Sequence, residues 1–547
     1  MVANSLGEVI PLIELAEHEA LRGNYVALML TYEAAPAFDS SLQTHGATQL
    51  PLAWAAVFAD KSPIPSRSGT TSTAEWKPEI TRAKYDDAIK QIRARITCGD
   101  TYQVNYSFPL VSHFIGDAFA WYRSLSQAQG GQHSAILDLG RYQILSISPE
   151  LFFQRRGDLV RTKPMKGTIG RGRWLDEDKE FAQRLAHSEK DKAENVMIVD
   201  LLRNDLGKVS VNGSVEVSKL FELERFETVW QMTSTVESKL RPNTSLSELL
   251  GALFPCGSIT GAPKIRTMEI IRELEPHSRG AYTGTIGLLQ PGGDCVFNVA
   301  IRTIVLDSET GRATFGVGGG ITIDSTADSE YEECLTKARF LTSEPRQFDL
   351  FESMLLEDGE YFLIERHLAR LRSSASFFGF EFSDSEVNSA LESLKAEHPE
   401  GKWKTKLMLE KNGTVSTQMS KVEPTKDWIV GIASSAVDSN NRLLFHKTTA
   451  RDLFSTELKS RPDCDDVVFF NKRGEVTEST LGNVVLEIDG RLVTPPRSAG
   501  LLAGTFRDQL IAESKIEERT LTLDELRNAK QFFLINSVRK WVRATLV

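Results

Sequence analysis

Residues 254–264 read F-P-C-G-S-I-T-G-A-P-K, and this stretch joins a tight turn to the start of a helix. Gly257, Gly261 and Pro263 punctuate the turn, and the pattern predicts that a helix begins at Lys264. Turns that open a helix expose backbone amides, which can hold an anion. The stretch therefore predicts an anion-binding turn within a fold of mixed helices and strands.

A second short motif lies upstream, where residues 164–168 read P-M-K-G-T. A lysine between a rigid proline and a flexible glycine is held at a defined place on a turn. If that turn lines a pocket, the amine of Lys166 can act as a covalent nucleophile. The spacing alone also fits a solvated surface loop, so the meaning of the motif depends on the residues that accompany it.

Two pairs of carboxylates share the spacing that places side chains on one face of a helix. Asp191 and Glu194 form the first pair, and Glu330 and Glu333 form the second. Brought together, the four could hold one Mg²⁺ through oxygen ligands, although two solvated helix faces give the same pattern. Residues 316–321, G-V-G-G-G-I, follow a predicted strand and offer either a further row of backbone amides or a close strand crossing.

The composition limits the classes of protein to which the chain can belong. It has 547 residues, 41% hydrophobic and 25% charged, with a net charge of −10, which is ordinary for a globular protein. No basic stripe indicates nucleic acid, no window approaches the roughly 20 apolar residues of a spanning helix, and the N-terminus lacks a signal-peptide pattern. Five scattered cysteines fit a reducing compartment. We therefore expect a cytoplasmic protein without nucleic-acid or membrane partners.

The pattern divides the chain into two units of unequal size. The break falls at T-S-E-P-R-Q, so we predict a first unit over 1–341, a linker over 342–347 and a second unit over 348–547. The periodicity predicts helices over residues 80–98, 329–341 and 366–378, and strands over residues 143–147, 295–305, 314–317, 466–471 and 483–488. The predicted fold class is mixed, α+β or α/β.

The order and spacing of the residues in the first unit resemble the chorismate-utilising enzymes across residues 10–340. The resemblance implies an anthranilate-synthase-like sandwich of mixed sheets and helices. It rests on the following residues and blocks: Glu150, Lys166, Asp191, Glu194, 197–205, 254–264, Tyr282, Arg302, 318–320, Glu330 and Glu333.

Two glutamines indicate which branch of this family the first unit resembles. Members that add water to chorismate place a general-base lysine where this chain has Gln103, and a glutamine cannot accept a proton from water. Anthranilate synthases have P-I-A-G-T in place of P-M-K-G-T, and their histidine linked to pyruvate elimination aligns with Gln231. The pattern is instead similar to aminodeoxychorismate synthase component I, which replaces the C4 hydroxyl of chorismate with an amino group, although that branch often has a histidine near Gln231 too.

The resemblance implies a role for each site residue of the first unit. Glu150 would be the general acid for the departing 4-hydroxyl, and Lys166 the nucleophile that adds to C2 of the ring. Such a lysine must be desolvated or lie near positive charge to be a free amine. The acidic pairs would hold Mg²⁺ against one substrate carboxylate, and Arg302 would bind the other. The remaining substrate contacts would come from Gln103, Thr260, Lys264, Tyr282, Gly318, Gly319 and Gly320.

Past the break, a second set of fragments follows one order. They are H-L-A-R-L at 367–371, H-K-T-T-A-R at 446–451, E-V-T-E-S-T-L-G-N at 475–483, T-P-P at 494–496 and L-A-G-T-F-R-D at 502–508. They resemble the fold type IV pyridoxal-phosphate enzymes, which have two α/β subdomains, over residues 348–547. The resemblance implies that Lys447 binds the cofactor aldehyde and moves protons, and that Glu478 pairs with the pyridine nitrogen. The phosphate would be held by Arg370, Thr480, Thr505 and Phe506.

Together the resemblances imply a bifunctional enzyme of 4-aminobenzoate synthesis for folate, which aminates chorismate and then removes pyruvate, with Mg²⁺ and pyridoxal phosphate. No G-x-C-x-G elbow of a glutaminase is found, so ammonia would come from a separate glutamine amidotransferase subunit or from free ammonium. Fold type IV domains usually dimerise, which implies a homodimer through the second unit. Two alternatives stay open: an anthranilate synthase fused to an amino-acid aminotransferase, and a synthase with a degenerate second unit, which Ala450 in place of asparagine would fit.

Overall fold

The structure is a computed structural model that describes residues 1–46, 49–64, 69–342, 347–424, 426–529 and 531–547. The chain divides into two compact units, which we call unit 1 (Met1–Gly170 and Ala182–Pro345) and unit 2 (Arg171–Phe181 and Arg346–Val547). Of the predicted linker at 342–347, residues 343–346 lie outside the described residues. The sequence pattern assigned the segment Arg171–Phe181 to the first unit, whereas this segment clusters with the second.

The elements up to residue 342 alternate between helices and strands. The helices are α1 (Leu6–Leu21), α2 (Arg82–Thr97), α3 (Ala118–Gln129), α4 (Leu175–Ala186), α5 (Glu189–Gly207), α6 (Leu246–Leu253), α7 (Lys264–Leu274) and α8 (Ala327–Ala338). The strands are β1 (Val2–Ala3), β2 (Tyr25–Leu30), β3 (Ala53–Phe58), β4 (Thr71–Thr73), β5 (Lys77–Pro78), β6 (Gln103–Gly116), β7 (His133–Asp138), β8 (Tyr142–Ser148), β9 (Leu151–Arg156), β10 (Leu159–Lys163), β11 (Met165–Gly170), β12 (Glu216–Arg225), β13 (Val229–Lys239), β14 (Gly261–Ala262), β15 (Thr285–Leu289), β16 (Cys295–Val299), β17 (Thr303–Asp307) and β18 (Arg312–Ile321).

Two antiparallel sheets form the centre of unit 1. Among the described residues, the first sheet has the order β1-β3-β2-β15-β16-β9-β10-β13-β11, with β12 beside β13. The second has the order β14-β6-β18-β17-β8-β7, with β4 and β5 beside β6. The sheets face each other, since Asn298 of β16 donates a hydrogen bond to the His133 carbonyl of β7 at 2.9 Å.

Helices cover the outer face of each sheet. Residues of α1, α5 and α6 pack on the first sheet, and residues of α2, α3, α7 and α8 pack on the second. Each fully buried aliphatic or aromatic side chain stabilises the fold by about 1.5–3 kcal/mol, so these two apolar layers hold the sandwich together. The predicted sandwich of mixed sheets and helices is confirmed.

The predicted strand over residues 295–305 is wrong, because the chain turns within it. β16 and β17 lie in different sheets, and between them Arg302 adopts a left-handed φ of +49°. The apolar pattern continues through the turn, so periodicity alone could not show it. The other predicted elements are confirmed to within a few residues, and residues 329–341 form α8 followed by a 3₁₀ turn, Arg339–Thr342.

Unit 2 contains a small sheet and a larger one. Its helices are α9 (Ile364–Phe378), α10 (Asp384–Glu397), α11 (Asp452–Ser460), α12 (Thr505–Ala512) and α13 (Leu523–Asn528). Its strands are β19 (Leu350–Glu357), β20 (Glu360–Tyr361), β21 (Lys402–Leu409), β22 (Val415–Lys421), β23 (Trp428–Ile432), β24 (Asp466–Phe470), β25 (Val476–Ser479), β26 (Asn483–Ile488), β27 (Arg491–Thr494), β28 (Glu517–Glu518), β29 (Phe532–Asn536) and β30 (Lys540–Leu546).

The two sheets of unit 2 define two subdomains, as predicted. The order β20-β19-β21-β22 forms the small sheet, which α9 and α10 contact. The larger sheet has the order β25-β24-β23-β30-β29-β26-β27-β28, and β25 also pairs with β26, so its first six strands close on themselves. In the part of the chain that the structure describes, no helix is long and apolar enough to cross a membrane.

Candidate active sites

The amine of Lys166 lies where three strands of unit 1 approach one another. β11 carries Lys166, β6 begins at Gln103 and β18 contains Gly320. A Cβ built on Gly320 would lie 2.7 Å from Lys166 Nζ and 2.2 Å from Gln103 Nε2, so both side chains reach the same glycine. Both amide atoms of the buried Gln103 side chain lack a hydrogen-bond partner among the described residues. An unpaired buried polar group costs about 1–3 kcal/mol, so this amide marks a place for a polar ligand.

The surroundings of Lys166 favour the neutral amine. Desolvation is the largest effect and lowers the pKa of Lys166, while Glu194 opposes this shift and Lys337 adds to it. Asn195 Nδ2 donates to the Lys166 carbonyl at 3.5 Å, and Ser234 Oγ donates to Asn195 Oδ1 at 2.6 Å. These bonds fix β11 against α5, so the amine is held in place and is suited to act as a nucleophile.

Glu150 supplies a buried acid between β8 and β9. Its carboxyl accepts a hydrogen bond from Ser258 Oγ at 2.8 Å and is close enough to Lys166 for their charges to interact. Burial raises the pKa of Glu150 to about 7, although Ser258 and Lys166 oppose the shift. A protonated carboxyl is therefore present near neutral pH, where an ordinary glutamate would be ionised. Such a group can donate a proton to a leaving group.

Arg302 places a desolvated cation in the same unit. Its Nη1 donates to Gln129 Oε1 at 2.9 Å, and burial lowers the pKa of Arg302 to about 10. Throughout the described residues no carboxylate pairs with it, and burial is the cause of its lowered pKa. A desolvated guanidinium without a counter-ion is costly, and an anionic ligand would offset that cost.

The glycine row of β18 leaves backbone groups beside this region. Gly318, Gly319 and Gly320 pair with β6 on one side, whereas β17 pairs with β18 only as far as Phe315. On that second side the three glycines have no strand neighbour within the described ranges. An amide that faces this edge therefore has no strand partner and could bind an anion.

The predicted four-carboxylate Mg²⁺ site is not assembled. Among the described residues, no group of three or more acidic, histidine or cysteine side chains is placed to hold a metal. The reason is that the carboxylates have other partners: Glu330 accepts from Ser325 Oγ at 2.7 Å, and Glu333 pairs with Lys337 at 2.9 Å. Glu194 lies 4.0 Å from Lys190, and Asp191 packs against Gly167. These residues do not fit the metal as they stand, and we derive no step through it.

Three predicted substrate residues are engaged elsewhere. The Lys264 amine binds Asp205 Oδ2 at 2.8 Å and the Leu253 carbonyl at 3.1 Å. Thr260 donates its hydroxyl to the Cys256 carbonyl at 3.1 Å. The ring of Tyr282 packs on Gly316, where a Cβ would lie 2.3 Å from it. These contacts support the turn and the sheet, so the prediction that the three side chains bind substrate is not supported by their placement.

A cavity of about 160 Å³ in unit 2 gathers most of the predicted cofactor residues. Phe506 is the exception, because its ring packs against Phe362 at 5.7 Å in an apolar cluster. Its backbone amide is still free of intrahelical bonds, since it is the second residue of α12. The predicted residues whose side chains line the cavity are Arg370, Lys447, Glu478, Thr480 and Thr505.

Lys447 and Glu478 form the reactive pair of this cavity. Burial, together with the nearby Arg370 and Arg451, lowers the pKa of Lys447 to about 7. Burial raises the pKa of Glu478 to about 7, although Arg451 and the amide of Leu502, which donates to Glu478 at 3.2 Å, oppose the shift. A neutral amine can attack an aldehyde, and a buried carboxyl can pair with a pyridinium nitrogen.

A cluster of donors around the same cavity fits a phosphate. Arg370 donates to the Ala503 carbonyl at 3.0 Å and to both oxygens of Glu352, at 2.9 and 2.6 Å. The buried hydroxyl of Thr480 lacks a partner within the described chain, and α12 begins at Thr505 with unbonded amides. With Lys447 and Glu478, these residues fit pyridoxal phosphate in both charge and hydrogen-bonding capacity.

Family models match both units. A model described as chorismate binding enzyme matches residues 4–343, which is more than half of the chain. The chain belongs to the chorismate binding enzyme family. A second model, amino-transferase class IV, matches residues 349–547, so a class IV amino-transferase domain follows the chorismate binding domain.

Curated relatives match the chorismate binding domain. Aminodeoxychorismate synthase component 1 of Salmonella typhimurium is 42% identical over 273 residues, 50% of this chain and 60% of the relative. An anthranilate synthase component 1 of Haloarcula marismortui is 41% identical over 298 residues, 54% of this chain and 60% of the relative. The chain thus spans about 60% of the length of these curated relatives. The crystal structure of anthranilate synthase component I from Streptococcus pneumoniae matches with a TM-score of 0.54 and 29% identity, covering 60% of this chain and 85% of that one.

Sequence reasoning missed several residues around both sites. In the chorismate binding domain these include Ser258, which binds Glu150, and Asn195, which holds the Lys166 carbonyl. Ser258 lies inside the turn motif at 254–264, and Asn195 directly follows Glu194, so the neighbouring residues were a usable signal but the individual side chains were not. In the class IV domain the missed residues are Glu352, His367, Lys404, Arg451 and Arg539.

Proposed function

We propose that unit 1 aminates chorismate at C4 to give 4-amino-4-deoxychorismate, and that unit 2 removes pyruvate from this product to give 4-aminobenzoate for folate synthesis. The observation that carries the proposal is the amine of Lys166, which reaches Gly320 and Gln103 in the same unit as the protonatable Glu150. Amination at C4 through a lysine nucleophile requires this amine, whereas anthranilate formation does not.

The identity values alone do not choose between the two chemistries. The aminodeoxychorismate and anthranilate synthases quoted above match this chain at 42% and 41%. The choice rests on two side chains. Lys166 occupies the position that is alanine in the P-I-A-G-T motif of anthranilate synthases, and Gln231 occupies the position of their histidine. In the structure Gln231 Oε1 accepts from Thr168 Oγ1 at 3.0 Å and cannot act as a base.

The chemistry in unit 1 would proceed in two steps. Glu150 donates its proton to the 4-hydroxyl as the C4–O bond breaks and water leaves, while the amine of Lys166 forms a bond to C2 and the ring double bonds shift. Ammonia then bonds to C4 with loss of a proton, the C2–N bond breaks, and Lys166 is released. Arg302 and the edge amides of β18 would bind substrate carboxylates, and Gln103 would bind a further polar group.

The cofactor site in unit 2 would use the residues that fit pyridoxal phosphate. When bound, that cofactor acts as an electron sink for the carbon from which a proton is removed. Lys447 would anchor it and carry protons, Glu478 would pair with its ring nitrogen, and Arg370 with the amides of α12 would hold its phosphate. Ammonia would come from a separate amidotransferase subunit or from free ammonium, and a cytoplasmic homodimer is the expected form.

The cavity of unit 2 contains cations beyond those assigned to the cofactor. Lys404 and Arg539 also line it, and no carboxylate in the described part of the chain pairs with either. Burial lowers the pKa of Lys404, and Arg539 and Lys406 add to that effect. Two further cations in a small cavity favour a substrate with two carboxylates, as aminodeoxychorismate has, over an ordinary monocarboxylic amino acid.

Product identification tests the whole proposal. The purified chain is incubated with chorismate, ammonium, Mg²⁺ and pyridoxal phosphate, and the aromatic product is identified by chromatography and mass spectrometry. 4-Aminobenzoate is the expected product. Anthranilate would overturn the assignment of Lys166, and aminodeoxychorismate that accumulates without becoming aromatic would overturn the assignment of unit 2. Lys166→Ala supplied with aminodeoxychorismate serves as the matched control and should still form 4-aminobenzoate.

A further inference from the structure

The segment Arg171–Phe181 is built into unit 2, although the chorismate binding model covers it in sequence. Arg171 makes two hydrogen bonds to Asp178, at 2.7 and 2.8 Å, and a third to the Phe377 carbonyl at 3.0 Å. The side chains of Arg171 and Asp178 are 4% and 2% exposed, so this pair is enclosed. Its guanidinium also lies over the Phe377 ring at 4.9 Å. An exposed loop would make no such enclosed pair, which indicates a structural role in unit 2.

Aromatic and cationic contacts continue along the same segment. The Trp174 ring packs against Phe445 at 5.1 Å, and the guanidinium of Arg497 lies over Trp174 at 4.6 Å. Arg173 forms a paired contact with Glu177, whose carboxylate also accepts the Arg173 backbone amide at 2.6 Å. Phe445 and Arg497 belong to two short 3₁₀ helices of unit 2, Arg442–Phe445 and Arg497–Ala499, and the Trp174 ring contacts both.

One hydrogen bond connects this segment to the residue before Lys447. His446 Nε2 lies 3.0 Å from the Arg173 carbonyl, and His446 Nδ1 lies 2.9 Å from Ser374 Oγ. A carbonyl oxygen can only accept a hydrogen bond, so Nε2 carries the proton and donates a hydrogen bond to the Arg173 carbonyl. Burial lowers the pKa of His446 to about 3, so the ring is neutral and Nδ1 accepts from Ser374. Both ring nitrogens therefore have a hydrogen-bond partner.

The same imidazole packs against two aromatic rings. Phe377 stacks on it at 4.6 Å with 28° between the planes, and Phe378 meets it edge-on at 4.6 Å. Ser374 lies one turn after Arg370 on α9, and the Lys447 carbonyl accepts from the Phe351 amide of β19 at 3.0 Å. His446 therefore connects three parts of the site: the segment Arg171–Phe181, the helix that carries Arg370, and the peptide that carries Lys447.

We propose that the segment Arg171–Phe181 is an integral part of the catalytic unit formed by residues 347–547, and that the Arg173 carbonyl orients Lys447 through the positioning residue His446. This inference rests on the proposed function only in taking Lys447 as the reactive lysine. Its physical basis is that a side chain with both ring nitrogens hydrogen-bonded and two aromatic rings packed against it has little freedom. Because one peptide bond joins His446 to Lys447, the position of the Lys447 backbone is restricted as well.

Two substitutions in the full chain separate this role from simple packing. His446→Phe keeps an aromatic ring between Phe377 and Phe378 but cannot donate to Arg173. His446→Gln places an amide donor near the position of Nε2 and serves as the conservative control. From the side of the segment, Gly172→Ala is disruptive, because its Cβ would lie 2.3 Å from the Asp178 backbone nitrogen.

The main readout does not depend on activity. The cofactor-free chain is treated with an amine-reactive reagent across a range of pH, and labelling of Lys447 is followed by mass spectrometry. The groups that act on Lys447 are Arg370, Arg451, Glu352 and Glu478. In His446→Phe and Gly172→Ala the midpoint for Lys447 should rise by about one pH unit, because the site loosens and part of the desolvation is lost. In His446→Gln the midpoint of Lys447 labelling should stay close to that of the unmodified chain.

Cofactor affinity and folding complete the test. Pyridoxal phosphate should bind at least several-fold more weakly to His446→Phe and Gly172→Ala than to His446→Gln, with thermal unfolding recorded for each variant. If either disruptive variant fails to fold, the other decides. Unchanged labelling of Lys447 in a folded disruptive variant would overturn the proposal. Since labelling needs neither substrate nor cofactor, a failure of the proposed function would be seen separately, as a chain that labels as expected but makes no 4-aminobenzoate.

Discussion

Lys166 and Gly320 approach so closely that a Cβ on Gly320 would lie 2.7 Å from the Lys166 amine. Gly320→Ala should therefore displace both this amine and Gln103, whose Nε2 would be 2.2 Å away. We expect formation of aminodeoxychorismate to fall by roughly 10²-fold, because a displacement of about 1 Å at a reacting group has that effect. The measurement is the steady-state rate with chorismate and ammonium.

Gly251→Ala is the matched control for this substitution. A Cβ at Gly251 would meet Phe38 at 3.5 Å, which is ordinary contact, and the residue lies within α6. Activity should be retained, and the free energy of unfolding should rise by about 0.5–1 kcal/mol, as for alanine in place of a helical glycine. Equal loss of activity in both variants would show that crowding at Gly320 is not the cause.

Glu150 should impose an upper pH limit on the synthase reaction. Burial raises the pKa of Glu150 to about 7, so its acid form is present below that pH and is lost as the pH rises through it. Burial also lowers the pKa of Lys166, so the free amine should appear as the pH rises toward that value. The rate should therefore follow a bell-shaped profile. Glu150→Gln should reduce the rate by about 10²–10⁴-fold and remove the descending limb; a descending limb that persists in this variant would exclude Glu150 as the acid.

Arg302 should contribute to binding at the expense of stability. Its guanidinium is desolvated, with Gln129 as its side-chain partner, so the folded chain bears the cost of a charge that a substrate carboxylate would offset. Arg302→Gln should raise KM for chorismate by roughly 10–100-fold, in line with the loss of a hydrogen bond to a charged group. The free energy of unfolding should stay equal or rise. A marked loss of stability with unchanged KM would instead indicate a structural arginine.

The sequence predicted the two folds better than the inner details of either site. The motif around Lys166 predicted a lysine held on a constrained turn, because proline and glycine restrict the backbone beside it. Lys447 has no such neighbours, and it was predicted only from the resemblance of its motif to a known family. The partner of Lys264 could not be predicted, since Asp205 lies on another helix and meets it only once the helices have packed. The Glu333–Lys337 pair is an i,i+4 contact on one helix, which the sequence spacing does indicate. The turn at Arg302 was missed because apolar periodicity runs through it. The placement of Arg171–Phe181 depends on Trp174 and Arg171 finding buried partners far along the chain, which no local pattern encodes.

Glu352 should make unit 2 sensitive to acid. The carboxylate is buried, which raises its pKa, but Arg370 and His367 outweigh burial and lower the pKa of Glu352 to about 2. A carboxylate whose pKa is depressed on folding stabilises the fold above its unfolded value of about 4.5 and loses that contribution as the pH falls toward 2. The difference of about 2.5 units corresponds to a free energy on the order of 3 kcal/mol.

Glu352→Gln should remove this acid dependence. Denaturation by urea between pH 3 and pH 7 should show a smaller change in the midpoint of unit 2 than in the unmodified chain. The variant should also bind pyridoxal phosphate more weakly, since the glutamine amide has one acceptor oxygen and Arg370 loses one of the two hydrogen bonds that orient it. Glu397→Gln, at an exposed position of α10, is the control and should leave the pH dependence unchanged. Equal acid sensitivity in all three chains would contradict the role of Glu352.

Arg539 should distinguish substrates with two carboxylates from those with one. It lines the cavity beside Lys404 and packs over the Trp428 ring at 5.4 Å. Arg539→Gln should raise KM for aminodeoxychorismate by roughly 10-fold or more, because one charge-assisted hydrogen bond is lost, while cofactor affinity stays unchanged. Arg543→Gln, at an exposed position of β30, is the matched control. If Arg539→Gln left this KM unchanged but weakened the cofactor, the excess positive charge of the cavity would belong to the phosphate site, and the argument for a dicarboxylate substrate would fail.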